Sequence, residues 1–157
     1  MAYVYSALQT DLCADWRRGG LDANGQVAER VTSDGGGNPC RHCLQDIPTS
    51  KEMLILAHRP FEHLTPYAEV GPIFICDDCE RLPDSGAMPP VLAARPRHLL
   101  KGYFDSDRIA YGTGAVVETA EIGGFIERAF DDAEIAYIDV RSAVNNCFTV
   151  RIRRQNN

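Results

Sequence analysis

The chain of 157 residues contains two short cysteine motifs, CRHC at Cys40–Cys43 and CDDC at Cys76–Cys79, separated by residues 44–75. In the Cys-X-X-Cys spacing, a tight turn brings both sulfurs onto one metal ion. Two such turns supply four thiolates, the tetrahedral ligand set that suits zinc. The spacing therefore predicts a zinc site, whose ligands are Cys40, Cys43, Cys76 and Cys79.

The segment between the two motifs contains two aliphatic runs of strand length, Glu52–His58 and Pro72–Cys76. If these runs pair as a hairpin, its ends bring Cys43 towards Cys76, as in a zinc-ribbon-like module, although the interval exceeds the usual spacing of about 15–20 residues. A closed set of four thiolates leaves no open coordination position, so the predicted zinc is structural. Redox chemistry at one motif and cysteines without a metal remain alternatives.

The periodicity of apolar residues predicts the remaining elements. Helical spacing over Ala120–Asp132 indicates a helix that covers a sheet, and the alternation in Glu134–Arg141 and Asn146–Arg153 indicates a hairpin. Further candidates are a helix at Leu8–Trp16 and strands at Tyr3–Leu8, His98–Phe104 and Arg108–Glu118. Together these elements predict an α+β fold with a mainly antiparallel sheet of about five to seven strands and one or two covering helices.

Composition limits the class of protein. The length is typical of one domain, 1–157. Lys and Arg number 16 against 22 Asp and Glu, and the net charge of −6 argues against nucleic acid or an anionic membrane as the partner. The chain shows no apolar run of membrane-spanning length and no secretory signal pattern. We therefore expect a cytoplasmic protein, in whose compartment thiols stay reduced.

A second group of polar residues is expected on the terminal hairpin. By alternation, Cys147 shares a face with Arg151, while Asp139 and Arg141 share a face of the preceding strand. A cation beside a thiol activates it as a nucleophile, and arginines suit a carboxylate or phosphate ligand. In the alternative interpretation, Cys147 is an inert buried residue, so enzyme activity stays open. The candidate catalytic residues are Cys147, Arg141, Asp139, His58 and His63.

Several short segments occur in an order and spacing that match a known family. They are Pro39–Arg41 with Leu44, Glu52–Leu56, Pro66-Tyr67, Gly71–Phe74, Asn145–Phe148 and Arg151–Arg153. On these segments, over about Asn38 to Arg154, the chain resembles the DUF1203 family, a group of bacterial domains of unknown function. The resemblance implies no assigned reaction.

The resemblance does imply a ranking of the cysteines. Family members typically share counterparts of Cys40 and Cys147, whereas many lack those of the other three motif cysteines, so a four-cysteine zinc site would belong to a subgroup. The usual His-Asn-Ala before the last cysteine is replaced here by Arg141–Ala143, and the usual glycine by Asn146. A role of that histidine therefore does not carry over to this chain.

These observations predict a small protein with a structural zinc site that acts by binding or interaction. The expected partner is a protein or a small anionic ligand. The alternative is an enzyme or anion-binding protein that uses Cys147 with Arg141, Asp139 and a histidine.

Overall fold

The computed structural model describes residues 2–155 and has an α+β fold built on two antiparallel sheets, which confirms the predicted fold class. The strands are β1 (Tyr3–Ser6), β2 (Glu29–Thr32), β3 (Glu52–His58), β4 (Gly71–Cys76), β5 (Arg97–Phe104), β6 (Ala115–Glu118), β7 (Ile135–Ser142) and β8 (Phe148–Arg154). The helices are α1 (Thr10–Arg17), α2 (Pro90–Ala93) and α3 (Ile122–Phe130), and a 3₁₀ turn (Thr119–Glu121) precedes α3.

The larger sheet has the strand order β1-β8-β7-β5-β6, and α3 packs on one of its faces. The predicted apolar stripe of the helix is buried there, with Ile122, Ile126 and Phe130 fully enclosed. Burying such a stripe supplies most of the stability of a short helix, since helix formation alone is marginal at this length. The helix is shorter than the expected Ala120–Asp132, because its first turn is 3₁₀.

The smaller sheet has the order β2-β3-β4, and α1 packs against it through Cys13 and Trp16. The helix begins and ends slightly later than predicted, and Leu12 lies on its exposed side. Burial raises the pKa of Cys13 to about 12, so this thiol stays protonated and behaves as a small apolar core residue.

Three parts of the chain differ from the sequence predictions. Strand β2 was not predicted, because only one of its four residues is a large aliphatic. The expected strand at Arg108–Glu118 is reduced to β6, since Gly112 has a φ of +94° and interrupts the extended backbone. The proline-rich segment before β5 contains the short helix α2, which begins with Pro90 at a position that tolerates proline.

The other face of the larger sheet is polar and lies under the loop 59–70, which joins the two strands of the smaller sheet's hairpin. Tyr103 and Tyr137 stack on this face, and Phe61 from the loop packs against them. The loop thus buries charged side chains between the two sheets. Within residues 2–155, no helix is long and apolar enough to cross a membrane.

Candidate metal centre and adjoining polar cavity

The four motif cysteines converge at one end of the smaller sheet. Their sulfur atoms all lie within 4.8 Å of one another, with Cys40 Sγ 3.8 Å from Cys79 Sγ and Cys43 Sγ 3.9 Å from Cys76 Sγ. A regular tetrahedron with metal–sulfur bonds of about 2.3 Å has sulfur–sulfur edges of about 3.8 Å. The cluster therefore has the dimensions of a four-thiolate metal site.

The first motif forms a tight turn around one sulfur. The N–H of Leu44 donates to the carbonyl of Cys40, and Leu44 itself adopts a φ of 53°. The backbone N–H groups of His42, Cys43 and Cys76 all point at Cys40 Sγ, at 3.4, 3.5 and 3.3 Å. Three N–H donors on one buried sulfur stabilise a thiolate, which is the form that binds metal.

The second motif begins at the last residue of β4. Antiparallel pairing of β3 with β4 places Cys76 opposite Met53, and Cys79 follows in the turn beyond the strand. An isolated parallel bridge between Cys40 and Phe74 ties the first motif to the same strand. The hairpin thus brings Cys43 and Cys76 together, as its predicted pairing required.

Two side chains outside the cysteine set contact Cys79. Arg17, from the last turn of α1, donates from Nη2 to Cys79 Sγ at 3.4 Å and from Nε to the carbonyl of Cys76 at 3.1 Å. His42 Nδ1 lies 3.3 Å from the same sulfur, and Thr10 Oγ1 lies 3.1 Å from His42 Nε2. These contacts orient the sulfur and place a positive charge beside it.

The pKa values of the four thiols shift in different directions. Contacts with the sulfurs of Cys43, Cys76 and Cys79 hold the pKa of Cys40 below its ordinary value, and they outweigh the opposing effect of burial. Contact with Cys40, followed by Cys43, raises the pKa of both Cys76 and Cys79. Four neighbouring thiols cannot all ionise side by side without a cation between them, which is the balance that a divalent metal supplies.

The aspartates of the second motif do not approach the sulfurs. Asp77 forms an ion pair with Arg30, which also donates to the carbonyl of Arg17, and Asp78 is exposed. Arg41 lies within the first motif, but its Nε donates to the carbonyl of Phe148 at 2.7 Å. Arg17, which the cysteine spacing gave no reason to select, carries the nearest positive charge instead.

Three of the five candidate catalytic residues line a second feature, a cavity of about 190 Å³ beside the β7–β8 turn. These are His58, Arg141 and Cys147. Cys147 is not in the last strand as expected: β8 begins at Phe148, because a bulge at Arg141 and the φ of 60° at Asn146 end the regular pairing. Its thiol is half-buried and faces the carbonyl oxygen of Asn145 at 3.7 Å.

The other two candidates have partners elsewhere. Asp139 is fully buried and accepts two hydrogen bonds from Arg151, at 2.7 and 3.0 Å. His63 is 57% exposed and pairs through Nδ1 with Asp107, at 2.9 Å. Neither residue lines the cavity, so the fold divides the proposed constellation between separate locations.

Sequence reasoning did not identify Glu69, whose side chain lies beside Arg141 in this cavity. It belongs to the loop between β3 and β4 and is distant in sequence from the other cavity residues, so no spacing links it to them. His58, at the end of β3, packs edge-on against Trp16 and Phe148. Burial first, and then the nearby Arg151 and Arg41, lower the pKa of His58 to about 4.

The model of the DUF1203 family, described as a protein of unknown function, matches residues 37–154. The chain belongs to the DUF1203 family. None of the curated proteins and none of the solved structures matches it. In this DUF1203 chain the turn before Cys147 places Asn146 at a φ of 60°, a conformation that glycine and asparagine tolerate best. That conformation explains why asparagine can stand where the resemblance led us to expect glycine.

Proposed function

We propose that Cys40, Cys43, Cys76 and Cys79 bind one zinc ion with a structural role, in a protein that acts by binding rather than by turnover. The observation that carries the proposal is the set of four sulfurs within 4.8 Å, two of whose separations match the edges of a thiolate tetrahedron. Zinc is the metal chosen because it favours four thiolates in this geometry.

The surroundings of the cluster fit this assignment. Four thiolates around Zn²⁺ carry an excess of two negative charges, and the guanidinium of Arg17 and the N–H donors on Cys40 Sγ offset part of that excess. Four protein ligands close the coordination sphere, so the ion has no position for substrate. Its role is to hold the β3–β4 hairpin against the first motif and α1.

Binding is favoured over turnover because only three of the five candidate catalytic side chains share the cavity. Asp139 accepts hydrogen bonds from Arg151, and His63 pairs with Asp107 outside the cavity. The net charge of −6 disfavours nucleic acid and anionic membranes as partners, which leaves a protein or a small anion. A thiolate site is also consistent with a reducing compartment, and we therefore keep the cytoplasm as the proposed location.

The second candidate function is an enzyme whose nucleophile is Cys147. The shared cavity with Arg141 and His58 favours it. Alkylation rates of the zinc-loaded protein across pH test this candidate, with Cys147→Ser as the control. A nucleophilic Cys147 alkylates faster than a free thiol at neutral pH, whereas a rate equal to that of a free thiol removes the candidate.

Metal analysis of protein purified without added metal tests the zinc proposal. We expect about one zinc per chain, zinc X-ray absorption that fits four sulfurs at about 2.3 Å, and a fall in thermal stability after chelation. Cys13→Ala is the matched control, because it removes a buried cysteine of α1 and leaves the four ligands intact. Less than about half an equivalent of zinc, with unchanged stability in chelator, contradicts the proposal.

A further inference from the structure

The cavity beside the β7–β8 turn contains a buried cation whose hydrogen bonds are incomplete. The Arg141 side chain is 4% exposed, and its Nη1 donates to the carbonyl of Asn146 at 3.1 Å. Within residues 2–155, no group accepts a hydrogen bond from its Nε or Nη2. A buried donor without an acceptor costs about 1–3 kcal/mol, and more when it is charged, so this arrangement needs a physical explanation.

The two nitrogens without a hydrogen-bond acceptor, Nε and Nη2, form one edge of the guanidinium. Their N–H groups point in the same direction and are spaced to meet the two oxygens of a carboxylate or phosphate. Arg151, which lies on the adjacent strand and the same face of the sheet, binds a carboxylate through the equivalent edge. Its Nε and Nη2 donate to Oδ1 and Oδ2 of Asp139 at 2.7 and 3.0 Å. Within residues 2–155, the corresponding edge of Arg141 has no carboxylate aligned to accept two hydrogen bonds.

One acidic side chain forms an ion pair with Arg141 but does not accept a hydrogen bond from it. Glu69 Oε1 lies 2.9 Å from Nη2, outside hydrogen-bond geometry, and 3.7 Å from Lys101 Nζ. Glu69 is 45% exposed and stands on the loop 59–70, so it can move aside without disturbing a strand. Arg141 and the movable carboxylate of Glu69 thus both line the cavity, and Lys101 lies near that carboxylate outside the cavity wall.

We propose that Arg141 binds a small oxyanion in this cavity, namely the carboxylate or phosphate group of a small acid, and that the ligand displaces the carboxylate of Glu69. The Nε–Nη2 edge of Arg141 supplies two charge-assisted hydrogen bonds, and Lys101, which lies outside the cavity wall near Glu69, adds positive charge nearby. The volume of about 190 Å³ admits a compact ligand or a terminal anionic group. His58 and the half-buried thiol of Cys147 line the same space and face the rest of the ligand.

The proposal is tested with the zinc-loaded full chain, titrated separately with inorganic phosphate and with acetate at constant ionic strength. Amide chemical shifts of the 141–148 segment follow binding. Arg141→Gln should weaken binding about tenfold or more, because both fork hydrogen bonds are lost. Arg141→Lys should also weaken it, since a lysine keeps the charge but not the fork. Glu69→Gln should tighten binding, because it removes the competing carboxylate.

The matched control is Arg97→Gln, which removes the same charge from an exposed position of β5 and should leave binding unchanged. Zinc content and urea unfolding of each variant show whether the fold is retained. Shifts with phosphate alone, or with acetate alone, assign the ligand class. Shifts with neither ligand, or equal binding by Arg141→Gln and Arg97→Gln, overturn the proposal. Anion binding by protein that is purified with less than about half an equivalent of zinc, and whose stability is unchanged in chelator, would contradict the metal proposal and leave this one standing.

Discussion

The cysteine cluster and the Arg141 cavity lie at opposite ends of the β3–β4 hairpin and treat their polar groups differently. In the cluster, N–H donors surround Cys40 Sγ, and Arg17 supplies a hydrogen bond to Cys79. In the cavity, two nitrogens of a buried guanidinium have no hydrogen-bond acceptor in the part of the chain that the structure describes, although one of them forms an ion pair with Glu69. In the cluster, the polar groups contact one another, whereas in the cavity a buried donor edge remains available to a ligand.

The two proposals give the cluster a structural role and the cavity a binding role. A closed set of ligands releases its free energy during folding, so its loss should appear as loss of stability. Buried donors without an acceptor lower the stability of the free protein, and a ligand that accepts their hydrogen bonds restores it. The following changes test that contrast.

The largest effect is expected for Cys40→Ser, which removes a proposed metal ligand and the acceptor of three backbone N–H groups. We expect loss of bound zinc and destabilisation by about 4 kcal/mol or more, measured by metal analysis and urea unfolding. Cys147→Ser, which changes a half-buried cysteine outside the cluster, should retain full zinc content. Equal zinc content in the two variants would falsify the closed-site assignment.

A comparison of the two arginine environments should give the next largest effect. Asp139→Asn leaves the buried Arg151 without its charged partner, and we expect a loss of about 3 kcal/mol in the free energy of unfolding. Arg141→Gln should change stability by no more than about 1 kcal/mol, because it loses only one hydrogen bond to the Asn146 carbonyl and an ion pair with the half-exposed Glu69. Urea unfolding of both variants with zinc bound makes the comparison. Similar losses would remove the distinction between the two arginines.

His58 predicts a pH dependence from its lowered pKa. Its ordinary value is 6.5 and its value in the fold is about 4, so the unfolded chain binds the proton more readily. The contribution of the neutral, buried ring is complete above pH 6.5 and is lost progressively as the pH falls to about 4. The shift corresponds to about 3 kcal/mol. The difference in unfolding free energy between wild type and His58→Gln should follow this window, and a constant difference from pH 7 to 4 would contradict the prediction.

The smallest effect is expected at the edge of the cluster. Arg17→Gln removes the charged donor to Cys79 Sγ but none of the ligands. We expect a fall in zinc affinity of about 10-fold to 100-fold, with the fold retained, measured by competition with a chelator. Arg18→Gln is the matched control, since it removes the same charge from the next residue, which is exposed. Equal affinities in the two variants would show that Arg17 does not support the site.

Much of the fold was predictable because local periodicity decides it. The stripe of α3 and the alternation of β7 and β8 predicted elements that differ from the observed ones only at their ends. Strand β2 was missed because pairing with β3 stabilises it, whereas its own sequence shows no alternation of apolar and polar residues. Cys147 was wrongly placed inside the last strand, which begins two residues later than predicted, since the alternation does not show the bulge at Arg141.

The sequence by itself determined the cysteine motifs and the hairpin that joins them, because a Cys-X-X-Cys turn and its adjacent strand are local structures. It also identified Arg141, His58 and Cys147 as candidates without showing what each contacts. Only the tertiary structure decided that Arg17 contacts a sulfur, that Asp139 pairs with Arg151, and that Nε and Nη2 of Arg141 have no hydrogen-bond acceptor among the described residues. The reason is that hydrogen-bond partners of buried charges come from distant segments, which no spacing along the chain records.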